Sequence, residues 1–171
     1  MSEHDLEKTA EVQYAKLEFL GFATRIGRLR FIVWQLGLGV IFQSLCLIGL
    51  LMVIVSPVIS IGIIGVGIIL YPIFSLRIAA QRLHDLNLSA WMLLLQLVPI
   101  ANLILGIMLL VRPGTSGANR FEAPPPPNST SVKIAGSILA FICCVYVAAF
   151  IAIASTPLMH VFINAVSRSS L

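Results

Sequence analysis

Four apolar runs without an Asp, Glu, Lys or Arg govern what this chain can become: residues 31–55, 58–76, 90–111 and 134–156. A helix rises 1.5 Å per residue. About 20 apolar residues therefore cross the roughly 30 Å of bilayer hydrocarbon. Composition agrees. The chain is 58% hydrophobic and 11% charged, against about 45–50% and about 25% for soluble domains. Hydrocarbon offers no water to backbone N–H and C=O groups, which leaves helices or a closed barrel, and the length of the runs selects helices. The expected fold class is an all-α integral membrane protein with four transmembrane helices. At 171 residues, little remains for a soluble domain.

The flanks carry the polar information. Residues 4–20 have Leu6, Ala10, Tyr14 and Leu17 at helical spacing, which predicts an N-terminal amphipathic helix. Its polar face is acidic, with Glu3, Asp5, Glu7, Glu11 and Glu18 against Lys8 and Lys16. A helix that lies on lipid usually has a basic polar face, so docking onto protein is equally open. This polar opening is unlike a secretory signal, and the first run is expected to be a retained anchor. Arg25, Arg28 and Arg30 then precede the first span, with Trp34 near its start where an amphipathic ring suits the interface. Gly62, Gly65 and Gly67 in the second run permit close helix approach without forming G-x-x-x-G. Pro72 and Pro99 are expected to disturb their helices, Gln96 and Asn102 flanking the latter.

The densest polar cluster is QRLHDLNLSAW, residues 81–91. Arg77, Gln81, His84 and Asp85 fall on one helical face. Arg82 sits three residues before Asp85, within reach of an ion pair. Asn87 and Ser89 read as turn and N-cap residues. A His beside an Asp can do acid–base chemistry, but no nucleophile or metal-ligand spacing accompanies it. No catalytic residue, metal ligand or cofactor is therefore assigned. Cys46, Cys143 and Cys144 lie inside apolar runs and read as small buried hydrophobes. The net charge of +4 comes from residues at the ends of the runs, which points to headgroups rather than nucleic acid.

If the N-terminus is cytoplasmic, four crossings put Lys8, Lys16, Arg25, Arg28, Arg30, Arg77, Arg82 and Arg168 inside and Arg112, Arg120 and Lys133 outside. The positive-inside rule then favours both termini in the cytoplasm. The Pro-rich stretch APPPPNST reads as a semi-rigid spacer.

Three stretches, ATRIGRLRFIVW, QRLHDLNLSAW and PGTSGANRF, resemble in order and spacing the signatures of a bacterial inner-membrane family, the domain of unknown function 805. The resemblance covers about residues 22–122. It marks Gly27, Arg28, Arg30, Arg82, Leu83, His84, Asp85, Trp91, Gly114, Gly117, Asn119, Arg120 and Phe121, with Glu122 standing where the family usually has Gly. It implies location and fold, not an activity. The tail, residues 148–170, is similar to the first helix of type IV pilins, without their glutamate or cleavage site.

The expected organisation is an N-terminal helix over 1–21, a three-helix core over 22–122, a linker over 123–131, and an appended C-terminal helix and tail over 132–171. The motif and binding candidates are Arg25, Arg28, Arg30, Arg77, Arg82, His84, Asp85, Trp91, Asn119 and Arg120. The leading expectation is a non-enzymatic adaptor or assembly factor that binds anionic headgroups and a membrane-protein partner or a second copy. The alternative is a small oligomeric transporter or channel.

Overall fold

The computed structural model describes residues 14, 15, 21 and 24–155. Those residues form helices joined by loops, with no strand among them. Helix α1 is Arg28–Met52 and α2 is Pro57–Asp85. A 3-10 helix, Ala90–Leu97, is followed by α3, Pro99–Val111, and α4 is Thr130–Ala154. Three of these, α1, α2 and α4, are long and apolar enough to cross a membrane. Of the helix expected over residues 4–20, Tyr14 and Ala15 are described, outside any helix. The rest of it, and the pilin-like stretch from residue 156 on, lie outside the described residues.

Helix α1 packs antiparallel on α2. Near one end Gln35 and Ser75 bond reciprocally, the Gln35 amide donating to Ser75 O and the Ser75 hydroxyl to Gln35 Oε1, both at 3.1 Å. Phe42 meets Tyr71 at 4.7 Å between ring centroids. Near the other end Gly49 lets the helices touch, since a Cβ there would come 2.5 Å from Ile64 Cγ1. The turn between them is capped by Ser56, whose hydroxyl accepts from Ile59 N at 3.5 Å, with Pro57 in the first turn. Pro suits that place because its missing N–H would be unpaired anyway. Helix α4 runs parallel to α1: Gly136 lies against Val33, and the Ser44 and Tyr146 hydroxyls are 3.0 Å apart.

The third apolar run departs from the expected span. It breaks at Val98, which is extended (φ −107°, ψ 115°), because the ring of a following proline pushes its predecessor out of the helical region. The two arms, of eight and 13 residues, reach only about 16 Å and about 20 Å. They turn back on each other, with Met92, Leu95, Ala101, Ile104, Leu105 and Met108 facing one space. Both ends of the run lie beside the last turns of α2. Ala90 adjoins Arg77 and Ala80, while Leu109 O and Arg112 O accept from the Arg82 guanidinium. The run folds back as a helical hairpin, which leaves three described helices long and apolar enough to cross a membrane.

This corrects the expected sidedness. Arg112, Arg120 and Lys133 belong to the same end as Arg25, Arg28, Arg30, Arg77 and Arg82, not the opposite one. Every Lys and Arg among the described residues is at this basic end, as are the two described carboxylates, Asp85 and Glu122. Because α4 parallels α1, its last residues lie at the far end, across from Arg25. The buried apolar core also sits at the basic end: Ile26, Phe31, Ile78, Ala79, Leu83, Leu86, Leu105 and Leu109. Trp34 packs against that core. Elsewhere the long helices present apolar side chains outward, as a surface facing lipid does.

Candidate functional site

The site begins with how α2 stops. Asn87 is left-handed, at φ 58°. Asn87 N donates to His84 O at 3.0 Å, and Leu88 N to Leu83 O at 2.9 Å. This pair of bonds is the Schellman closure, with Asn in the place usually held by Gly. Leu88 packs against the apolar core to which buried Leu83 belongs. Ser89 then caps the 3-10 helix, accepting from Trp91 N at 3.4 Å. The turn residues expected from the sequence thus take those roles, and the sharp stop leaves Asp85 facing inward.

Asp85 is the hub. Its Oδ1 accepts from Arg25 Nε at 3.3 Å and Arg25 Nη2 at 3.1 Å. Its Oδ2 accepts from Arg82. Arg25 and Arg82 are 0% exposed and Asp85 2%, so two guanidinium cations share one carboxylate away from water. The surplus positive charge is met by carbonyl dipoles. Arg25 donates to Thr115 O at 2.8 Å, Gly117 O at 2.8 Å and Glu122 O at 3.0 Å, and to the Thr115 hydroxyl at 2.9 Å. Arg82 donates to Leu109 O at 3.0 Å and to Arg112 O. Each nitrogen of both guanidinium groups therefore donates inside the protein.

The 112–122 loop is shaped to deliver these carbonyls. Thr115 N donates to Asp85 O at 2.9 Å. The Asn119 amide donates to His84 O at 2.8 Å and to the Thr115 hydroxyl at 3.0 Å, while its Oδ1 accepts from Phe121 N and Glu122 N. A side chain that donates twice and accepts twice at one point is what Asn supplies. Gly114 passes so close that a Cβ there would lie 2.6 Å from Asp85 Cγ. Gly117 takes φ 77°, a conformation glycine reaches without strain.

A family model described as a protein of unknown function (DUF805) matches residues 19–123. The chain belongs to the DUF805 family. The match contains all three legs of the buried knot, the approach to α1, the end of α2 and the 112–122 loop. No curated protein and no solved structure matches the chain.

The remaining candidates divide by exposure. Arg30 is buried and clamps the carbonyls of Pro126 and Pro127, and Ala15 N reaches Pro124 O at 3.0 Å. The Pro-rich segment is thereby tied to the DUF805 core. Arg28 is exposed and donates to Val111 O at 3.1 Å. Arg77 is half-buried two turns before Asp85. Trp91 is 79% exposed at the start of the hairpin, a setting that suits an interfacial ring. The His84 ring is stacked on Phe121 at 3.9 Å between centroids, and the Arg120 guanidinium lies 4.7 Å from the Phe121 ring centre. His84 Nδ1 is buried with no partner. Among the described residues no three His, Cys, Asp or Glu side chains gather as metal ligands do.

Sequence reasoning named Arg25, Arg82 and Asp85 but joined only the last two. It missed Thr115 and the carbonyl acceptors, which a backbone contribution leaves no trace of in side-chain types. Glu122, the departure from the family pattern, serves the knot through its main-chain carbonyl, which any residue supplies.

Proposed function

We propose that this DUF805 protein is a non-enzymatic adaptor or assembly factor of a bacterial inner membrane, with its basic end in the cytoplasm. What carries the reading is the state of the Arg25–Asp85–Arg82 knot. Its donors are spent on its own chain, and that favours a motif that holds the basic end in shape over one that turns over a substrate. The eight Lys and Arg of the described residues share that end, which supports a cytoplasmic placement by the positive-inside rule. Arg28, Arg112, Arg120 and Lys133 are exposed there, at the level where anionic headgroups attract cations by about 1 kcal/mol per residue. The shape thus serves a platform that meets an anionic leaflet and offers a rigid surface to a membrane partner.

The test is purification of the full chain in native lipid, followed by mass measurement and lipid analysis. Enrichment of anionic over zwitterionic lipid, with one partner protein in fixed stoichiometry, is the expected result. A homo-oligomer that conducts ions when reconstituted into vesicles would overturn the adaptor reading in favour of a small channel.

A further inference from the structure

His84 is the one histidine among the described residues, and it holds the 112–122 loop in two ways. Its carbonyl accepts from the Asn119 amide at 2.8 Å. Its ring lies on the Phe121 ring, 3.9 Å between centroids and 15° from parallel. The residue is 7% exposed, and Nδ1 is buried with no partner. That atom decides what the ring can carry. A neutral imidazole has one bare nitrogen, whereas the cation has an N–H on both. The neutral ring fits this place with Nδ1 bare. The cation would bury an N–H without an acceptor, and a charge with it, and both are costly.

The surrounding charges do not offset that cost. From the loop come Arg112, Arg120 and Glu122. The Arg120 guanidinium lies 4.7 Å from the centre of the same Phe121 ring. Glu122 has its Oε2 buried without a partner, so it makes no bond to Nδ1. From the approach to α1 comes Arg25, and from the helix of His84 itself come Arg82 and Asp85. Those three are bonded to one another. Cations therefore outnumber carboxylates here, and no carboxylate bonds the buried nitrogen. A helix C-terminus favours a cation, but the last carbonyls of α2 are occupied. Leu86 N donates to Arg82 O and Leu83 O, Leu88 N to Leu83 O, and Asn87 N to His84 O.

We propose that His84 and Phe121 form a proton-operated latch on the 112–122 loop. Neutral His84 keeps Phe121 stacked. Once protonated, the imidazole leaves its place, and Phe121 turns outward beside exposed Arg120. The movement is local. Arg25 still holds Gly117 O and Glu122 O, so the stretch between them, residues 118–121, is what opens. With the basic end in the cytoplasm the latch responds to cytoplasmic acid, and its chemistry is the same whether or not the adaptor reading holds. An open latch takes up its proton near pH 6.5, as an ordinary histidine does, and a closed one excludes it. The ratio of open to closed therefore rises about thirtyfold from pH 8 to pH 5.

The test places para-fluorophenylalanine at position 121 of the full chain in phosphatidylcholine nanodiscs. The change in its fluorine resonance between H2O and D2O measures how far water reaches the ring. The expected solvent shift is small at pH 8 and close to that of free fluorophenylalanine at pH 5. His84→Phe, whose ring stacks but takes no proton, should keep it small at both. Arg120→Gln alters an exposed side chain and removes one neighbouring cation. It should shrink the acid response, and it decides the matter if His84→Phe does not fold. A solvent shift that stays small at pH 5 overturns the latch, as does an acid response that Arg120→Gln leaves unchanged. A response that persists in His84→Phe would belong to Asp85 or Glu122 and overturns it too. Loss of the helical circular dichroism signal along with the change at position 121 would mean acid unfolding in place of a latch.

Discussion

Replacing Asp85 with Asn removes one negative charge and almost no volume, which makes it the sharpest perturbation of the buried knot. In the native protein Oδ1 takes two Arg25 donors and Oδ2 takes Arg82. An amide has one acceptor oxygen, so its NH2 must face one guanidinium donor to donor. The two cations keep their carbonyl partners but lose their counter-ion at 0–2% exposure. Hydrogen bonds to charged groups contribute about 1.5–3 kcal/mol each. Removing one partner of a buried ion pair costs about 3–5 kcal/mol. The expected loss for Asp85→Asn is in that range, about 3–5 kcal/mol. Chemical unfolding in detergent, followed by Trp fluorescence, measures it, because Trp34 packs against the core beside the knot. Arg28→Gln, at an exposed side chain, should cost no more than about 0.5 kcal/mol. The double variant Arg25→Gln with Asp85→Asn should cost clearly less than the sum of its singles, since the residues share one network. If Asp85→Asn unfolds no more easily than Arg28→Gln, the knot does not hold the basic end together.

Other positions make separate demands. Gly114→Ala should lower the unfolding temperature of the purified chain, because the new methyl group meets the Asp85 carboxylate and must displace the loop or the hub. Asn87→Gly should change stability by a few tenths of a kcal/mol, whereas Asn87→Val should cost about 1–2 kcal/mol in the same assay, since a branched side chain resists φ 58°. Phe121→Ala should remove the His84 stack, worth about 0.5–1.5 kcal/mol beyond its buried area. Gly49→Ala should cost about 1–3 kcal/mol through overpacking against Ile64, read as loss of monodisperse protein on heating.

What the sequence made legible follows from which forces act locally. The three long helices are visible in charge-free runs because hydrocarbon enforces helical hydrogen bonding over the whole length. The end of α2 is visible too, since Asn and Ser have short-range roles that need no tertiary partner. The hairpin was hidden by its length. Residues 90–111 are long enough to cross, and the fold breaks them at Pro99, where Gln96 and Asn102 were the available warning. The Arg25–Asp85 bond joins residues 60 positions apart, and nothing in either segment states the pairing. The carbonyls that complete the knot come from Leu109, Arg112, Thr115, Gly117 and Glu122, and a main-chain acceptor has no sequence signature. Placing the basic loop at the same end as Arg25 also clarifies the charge pattern: cations assigned to two sides by a four-span count collect on one.

The central claim is that residues 112–133 share an end with Arg25, and site-directed cysteine accessibility in intact cells and inverted vesicles tests it most directly. In a chain with Cys46, Cys143 and Cys144 replaced by Ser, single cysteines go at Ser116, at Asn128 and at Ile54, which is 90% exposed in the α1–α2 turn. The account predicts that a membrane-impermeant maleimide labels positions 116 and 128 from the cytoplasmic face alone and position 54 from the opposite face alone. Labelling of position 116 from the same face as position 54 would mean that residues 90–111 cross the membrane, and it would contradict both the hairpin and the knot.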